Sequence, residues 1–247
     1  MDICAGEHWK QVLEARITDA ASALAALNPL LALLPRPEFR LKAAYGLGLA
    51  VPLVAKDNME SARVFMRRLM WSMNEESGNL GWGIPEAMGC ILGKSTALAR
   101  EYGHILVSYG HDTGREDNFV DHAPLRRGVF QGIALFAALN PEAATPALPQ
   151  LVTSLNDEDA GVRGMASLAL FNLVTALSTT AACSTDTPSI WLPAHRALED
   201  ALKRMTPEND PEIELLDGTA LIRTTLHSLH RQALDIIEKL SYRELKE

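Results

Sequence analysis

The segment Pro146–Val174, PALPQLVTSLNDEDAGVRGMASLALFNLV, constrains what this chain can fold into more than any other. Leu148, Leu151, Val152 and Leu155 put an apolar stripe on one helical face; Val162, Ala166, Ala169, Leu170 and Leu173 put one on a second. Between them, Asn156, Asp157, Glu158 and Asp159 supply turn and helix-start chemistry, with acids where the helix macrodipole favours them. Two amphipathic helices folded back on each other cannot bury both stripes alone. A hairpin of this kind therefore predicts others stacked beside it.

The Val162-Arg163 step recurs as Phe39-Arg40, Leu125-Arg126 and Ile222-Arg223. Three residues after each Arg stands Ala43, Val129, Ala166 or Leu226, and seven after it stands Leu47, Ile133, Leu170 or His230. Ile84-Pro85 is a fifth copy, followed by Met88 and Leu92, with Pro85 suited to a first helical turn. Each step follows a partner helix: Asn28–Leu34, Glu60–Met73, Ser95–Tyr109, the segment after Pro146, and Pro193–Met205. The reading is one all-α array over 1–247, with hairpins at roughly 28–55, 60–93, 95–139, 146–177 and 193–240. The steps are unevenly spaced, which repeat arrays accommodate by insertions in loops. Ser178–Ser189 reads as a flexible inter-repeat loop and Thr206–Gly218 as an acidic linker. Leu221–Lys239 reads as a closing helix whose more polar outer face carries His227, His230, Arg231 and Glu238. No alternating apolar run suggests a sheet.

Composition narrows the function classes. The net charge of −8 argues against a nucleic-acid binder, which normally presents a basic face, and favours partners with basic or apolar surfaces. Cys4, Cys90 and Cys183 are far apart and form no CxxC, so a reducing compartment is expected, with Cys90 packed as a small hydrophobe. The N-terminus lacks a basic stretch followed by an apolar core, and apolar stretches such as Tyr45–Ala55 are short and broken by Gly and Pro. A soluble cytoplasmic protein without membrane contact is expected.

Two turns depart from plain hairpin chemistry. Trp71–Glu86, WSMNEESGNLGWGIPE, holds two tryptophans, three acids and three glycines. Trp71 and Trp82 can wall a pocket whose polar atoms come from Asn74, Glu75, Glu76 and Glu86. Alternatively, both rings pack the loop down, Glu75 and Glu76 are solvated, and Glu86 serves a helix's first turn. Tyr109–Arg127, YGHDTGREDNFVDHAPLRR, is longer than a hairpin turn needs. It carries His111, Asp112, Asp117, Asp121 and His122, but no HxH or HExxH, so no metal site is expected. Asp121 lies in the cap region of the following helix, and Arg126 and Arg127 are expected to pair with Asp121 or with acids of neighbouring turns. Turns of one kind align along one edge of a stacked array. Trp71, Trp82, Glu75, Glu76 and Glu86 are therefore expected beside Tyr109, His111, Phe119 and His122, forming one ridge.

The pattern of Pro146–Val174, and its echoes around Phe39 and Leu125, resembles a HEAT-type repeat over about residues 28–240. The resemblance implies an α-solenoid of about five hairpins with a right-handed superhelix. Among enzymes of this broad group, deoxyhypusine hydroxylase holds iron through paired His-Glu dipeptides. This chain has no His-Glu dipeptide, so that activity does not carry over. Phycobilin lyases share the fold type but offer no short motif to place here. The Trp71–Glu86 segment resembles that of a bacterial HEAT-like group. Hydrolase signatures are absent: there is no GxSxG, and Gly46-Leu47-Gly48 is not a phosphate loop.

These features favour a protein-interaction or assembly scaffold, more readily than an enzyme, with no cofactor. Its binding ridge would comprise Trp71, Asn74, Glu75, Glu76, Trp82, Glu86, Tyr109, His111, His122 and Arg126. A cofactor-handling or lyase-like enzyme using the same ridge is the alternative.

Overall fold

The structure is a computed structural model describing residues 8–73, 81–112, 114, 118–179, 187–206, 210–217 and 220–244. A short helix α1, Trp9–Arg16, precedes the array, its Trp9 and Leu13 buried. Five helical hairpins follow among the described residues. The first pairs α2, Ala20–Leu31, with α3, Arg40–Asp57; the second pairs α4, Met59–Met73, with α5, Ile84–Lys94. The third pairs α6, Thr96–Ser108, with α7, Ala123–Leu139. The fourth has a broken first arm, α8 at Pro141–Ala144 and α9 at Leu148–Ser154 joined by a 3-10 turn, packed on α10, Ala160–Thr179. The fifth pairs α11, Thr187–Arg204, with α12, Leu226–Glu244. The second helices α3, α5, α7, α10 and α12 pack one on the next and form the spine of an all-α solenoid.

The recurring step has a recurring geometry. Arg126 donates through Nη1 to the carbonyls of Val120 and Asp121, and Arg163 through Nη1 to those of Asp157 and Glu158. Arg40 donates through Nε to the Leu34 carbonyl, at the same backward reach. Each Arg thus ties its helix to the turn that leads into it and satisfies carbonyls the turn leaves open. The apolar positions behind the step make the core: Ala43, Leu47, Met88, Leu92, Val129, Ile133, Ala166 and Leu170 are all fully buried. Where α5 crosses α7, glycines replace side chains. A Cβ at Gly132 would lie 2.2 Å from the Pro85 carbonyl oxygen, and one at Gly89 would lie 2.0 Å from the Gly132 carbonyl oxygen, so backbone meets backbone there.

Several expectations are corrected. The first arm begins at Ala20, not Asn28, because Asp19 and Ser22 form a reciprocal capping box and α2 runs on through Pro29. Likewise α11 begins at Thr187 and contains Pro193. The Ile222-Arg223 step lies in a strand rather than at a helix start: β1, Glu212–Asp217, pairs antiparallel with β2, Ala220–Thr225. The sequence signal was present in the alternation of Glu212-Ile213-Glu214-Leu215. Leu226 and His230 nevertheless keep the burial their offsets imply. His230, expected on an outer polar face, is 1% exposed, and its Nδ1 lies 2.5 Å from Ser167 Oγ on α10. Burial, with the nearby Arg163 charge second, pushes its pKa down to about 4. Helix α10 is long and apolar enough to cross a membrane by length and composition, unlike the stretches judged from sequence, but it is packed between α7 and α12 with over half of that window buried. Cys90 is a buried free thiol, whereas Cys4, Cys183 and residues 180–186 of the expected loop lie outside the described residues.

Candidate functional site

Gly83 sets up the site. It is the N-cap of α5 with φ 79°, and a Cβ there would lie 2.9 Å from both the Leu34 carbonyl oxygen and Arg40 Cγ. Only glycine combines that left-handed backbone with that approach. The turn sends Trp82 over Arg40, whose guanidinium lies 5.1 Å from the ring centroid, and starts α5 so that Glu86 points inward from its first turn. The Trp82 ring also meets His122, the N-cap residue of α7, in an edge arrangement with centroids 5.7 Å apart. The second and third intra-repeat turns therefore meet through Trp82 and His122.

Below them lies a cavity of about 540 Å³, within the range of small-ligand pockets. It crosses four consecutive spine helices: Arg40 comes from α3, Trp82 and Glu86 from the start of α5, Arg127 and Gln131 from α7, and Met165 from α10. The β-hairpin adds Glu212 and Ile213 to the lining. Glu86 is 3% exposed, and its Oε2 has no hydrogen-bond partner among the described residues. Gly128 makes room for it, since a Cβ there would lie 3.0 Å from both carboxyl oxygens. Burial raises the Glu86 pKa above its ordinary value, and a hydrogen bond from its own backbone and then the Arg40 charge only partly oppose this. Arg40 itself is held by the Leu34 carbonyl and the Trp82 ring, and forms no ion pair with Glu86 among the described residues. Arg127 is taken up by a bidentate pair with Asp159, at 2.6 and 2.7 Å.

The remaining ridge residues are placed differently. Asn74, Glu75 and Glu76 lie outside the described residues. Trp71 is 75% exposed near the end of α4 and lines neither cavity that Trp82 lines, so the expected pair of tryptophan walls is one wall. Tyr109 is in the core at 1% exposure, where burial raises its pKa to about 12. Its carbonyl accepts from Val120 N–H and closes the neck of the long turn. His111 and His122 are exposed, and among the described residues no three of His, Cys, Asp and Glu are grouped to hold a metal ion. Arg126 is buried, bound bidentately to Asp157 at 3.1 Å with Phe119 over its guanidinium, so it acts as a brace between hairpins. The residues that sequence reasoning missed are Arg40, Gln131 and Glu212. Arg40 carried a signal in its step, whereas Gln131 and Glu212 reach the cavity only through the stacking of α7 and the β-hairpin.

No protein-family model matches the sequence, and no curated protein matches it. Among solved structures, an engineered protein from the Northeast Structural Genomics Consortium superposes with a TM-score of 0.51 at 16% identity, covering 96% of this chain and 98% of that chain. The fold is that of a helical-repeat protein. A designed armadillo repeat protein gives a TM-score of 0.44 at 16% identity, covering 96% of this chain and 97% of that one, too distant to carry an argument. At such identities the likeness concerns fold alone.

The buried carboxyl makes a pH-dependent prediction. An unfolded Glu titrates near ~4.3, and the folded Glu86 pKa is higher. The folded state thus binds the proton more tightly, so stability falls as pH rises from about 4.3 toward the folded value and is level beyond it. Glu86→Gln, which cannot ionise, is expected to match the parent near pH 4 and to be more stable at pH 8. Urea unfolding across that range is the check, and a parent that gains on the variant as pH rises would contradict the burial of an unpaired carboxyl.

Proposed function

We propose that this chain is a HEAT-type interaction scaffold that docks a protein partner over Trp82 and the cavity beneath it. The observation that supports this reading is Glu86: a carboxyl with an open oxygen, buried in a roomy cavity that four consecutive repeats build together. A polar group left unpaired in the interior is costly, and a partner that supplies a donor there recovers that cost. Trp82 adds the half-buried aromatic surface from which binding hot spots are commonly made. The excess negative charge suits a partner with a basic or apolar surface, and the reading carries a cytoplasmic setting with it. Fold by itself does not confer chemistry, and among the described residues the site offers no nucleophile–base pair to develop the lyase-like alternative.

Trp82→Ala is expected to lower partner recovery in affinity capture from host extract by about tenfold, the scale of a hot-spot residue. Trp71→Ala is expected to leave recovery unchanged, because its ring lines neither cavity. Melting temperatures of both variants supply the control. Unchanged recovery with Trp82→Ala at unchanged stability would remove this docking reading.

A further inference from the structure

The cavity holds a cation and an anion that do not complete each other. Glu86 has an oxygen without a partner among the described residues, Arg40 is held through Nε and its ring contact with no bond to either Nη group among them, and Gln131 lines the same space with an amide that both donates and accepts. A ligand bringing only a cation would leave Arg40 uncompensated. A ligand bringing only an anion would add a second negative group beside Glu86. The arrangement matches a group with an N–H-donating cation and an oxygen acceptor three bonds from its nitrogen.

We propose that the cavity binds an α-ammonium group together with its neighbouring carbonyl or carboxylate oxygen, as found at a peptide N-terminus or in a free amino acid. The Glu86 carboxylate accepts from the ammonium, while Arg40 and Gln131 donate to the oxygen. The remaining volume, which Met165 and Ile213 also line, takes the first side chain. Arg127 takes no part, since Asp159 holds it. Gly128 is part of the site because any side chain there would press on the Glu86 carboxyl. This assignment rests on reading the Trp82–Glu86 surface as the docking site, and it names the chemical end of the partner that enters.

The test is calorimetric titration of the whole chain at pH 6.5 with three probes: trialanine, N-acetyl-trialanine and free alanine. Trialanine is expected to bind. Acetylation, which removes the charge and two donor hydrogens, is expected to weaken binding about tenfold or more, the scale of losing one hydrogen bond to a charged group. Glu86→Gln is expected to weaken trialanine to a similar degree while leaving the melting temperature no lower. If free alanine binds as well as trialanine, the ligand is a free amino acid; if only trialanine binds, it is a peptide end; both outcomes support the α-ammonium chemistry. Equal binding of the acetylated probe, undiminished binding by Glu86→Gln, or no binding of either amine overturns it. The acetylation arm needs no variant and therefore stands even if Glu86→Gln fails to fold. If neither amine binds while Trp82→Ala still loses its partner selectively, the amine assignment falls and the docking reading survives. If Trp82→Ala also keeps its partner, both fall.

Discussion

Arg126→Ala should lower the unfolding free energy by about 3–5 kcal/mol, the usual cost of removing one partner from a buried ion pair. The Arg126 and Asp157 side chains are only 10% and 15% exposed, so water cannot stand in for the lost guanidinium. The same side chain also closes the carbonyls of Val120 and Asp121, which the variant leaves unpaired. Arg126→Lys is expected to recover only part of the loss. A single ammonium cannot serve a bidentate carboxylate and two carbonyls at the geometry of the planar fork. Urea unfolding measures both variants. A loss below about 1 kcal/mol for Arg126→Ala, typical of a surface change, would mean that the brace between the third and fourth hairpins is not built as described.

Leu170→Ala should cost about 2–5 kcal/mol, the range for truncating a buried leucine. Leu170 is fully buried on α10, at the same offset from its Arg as Leu47 and Ile133, which are equally buried. Helix α10 packs against both α7 and α12 and has no free side along this stripe, so the cavity left by the missing atoms has little room to collapse. The slope of the urea transition should stay unchanged while the midpoint falls. A loss under about 1 kcal/mol would place Leu170 at the edge of the spine rather than within it.

These two residues also mark how far periodicity carries. Leu170 was legible because burial at helical spacing is a local property: apolar residues at a fixed offset from a repeated step share a face whatever the neighbours do. Arg126 was legible as a paired residue, since Asp-rich turns precede the next helix, but it was also counted in the binding ridge. Its burial comes from Asp157, thirty-one positions on, and from Phe119 above it. Tyr109 failed for the same reason: a tyrosine at a turn is read as surface until the packing around it is known. His230 reads as polar in isolation and becomes core because Ser167, on a different hairpin, shares a hydrogen bond with its ring.

The site divides along the same line. Trp82, Gly83 and Glu86 stand out within one short segment, and their local geometry follows from a glycine that must adopt a left-handed backbone. The meeting of Trp82 with His122 follows from the order of the turns in a stacked array. The cavity does not follow from either. It exists because α3, α5, α7 and α10 pack at glycine-lined crossings that bring Arg40, Glu86 and Gln131 around one space, and because a two-stranded ribbon unforeseen in the sequence adds to its lining.

The sequence by itself determined the all-α architecture, the helical-repeat spine and most of the core, because helix periodicity and capping are written in residues a few positions apart. The tertiary structure alone decided which charges are neutralised and which are left open. Arg126 and Arg127 find Asp157 and Asp159, whereas Glu86 finds no one among the described residues. Electrostatic pairing and desolvation depend on distances between distant segments, and no local pattern in a chain specifies those distances.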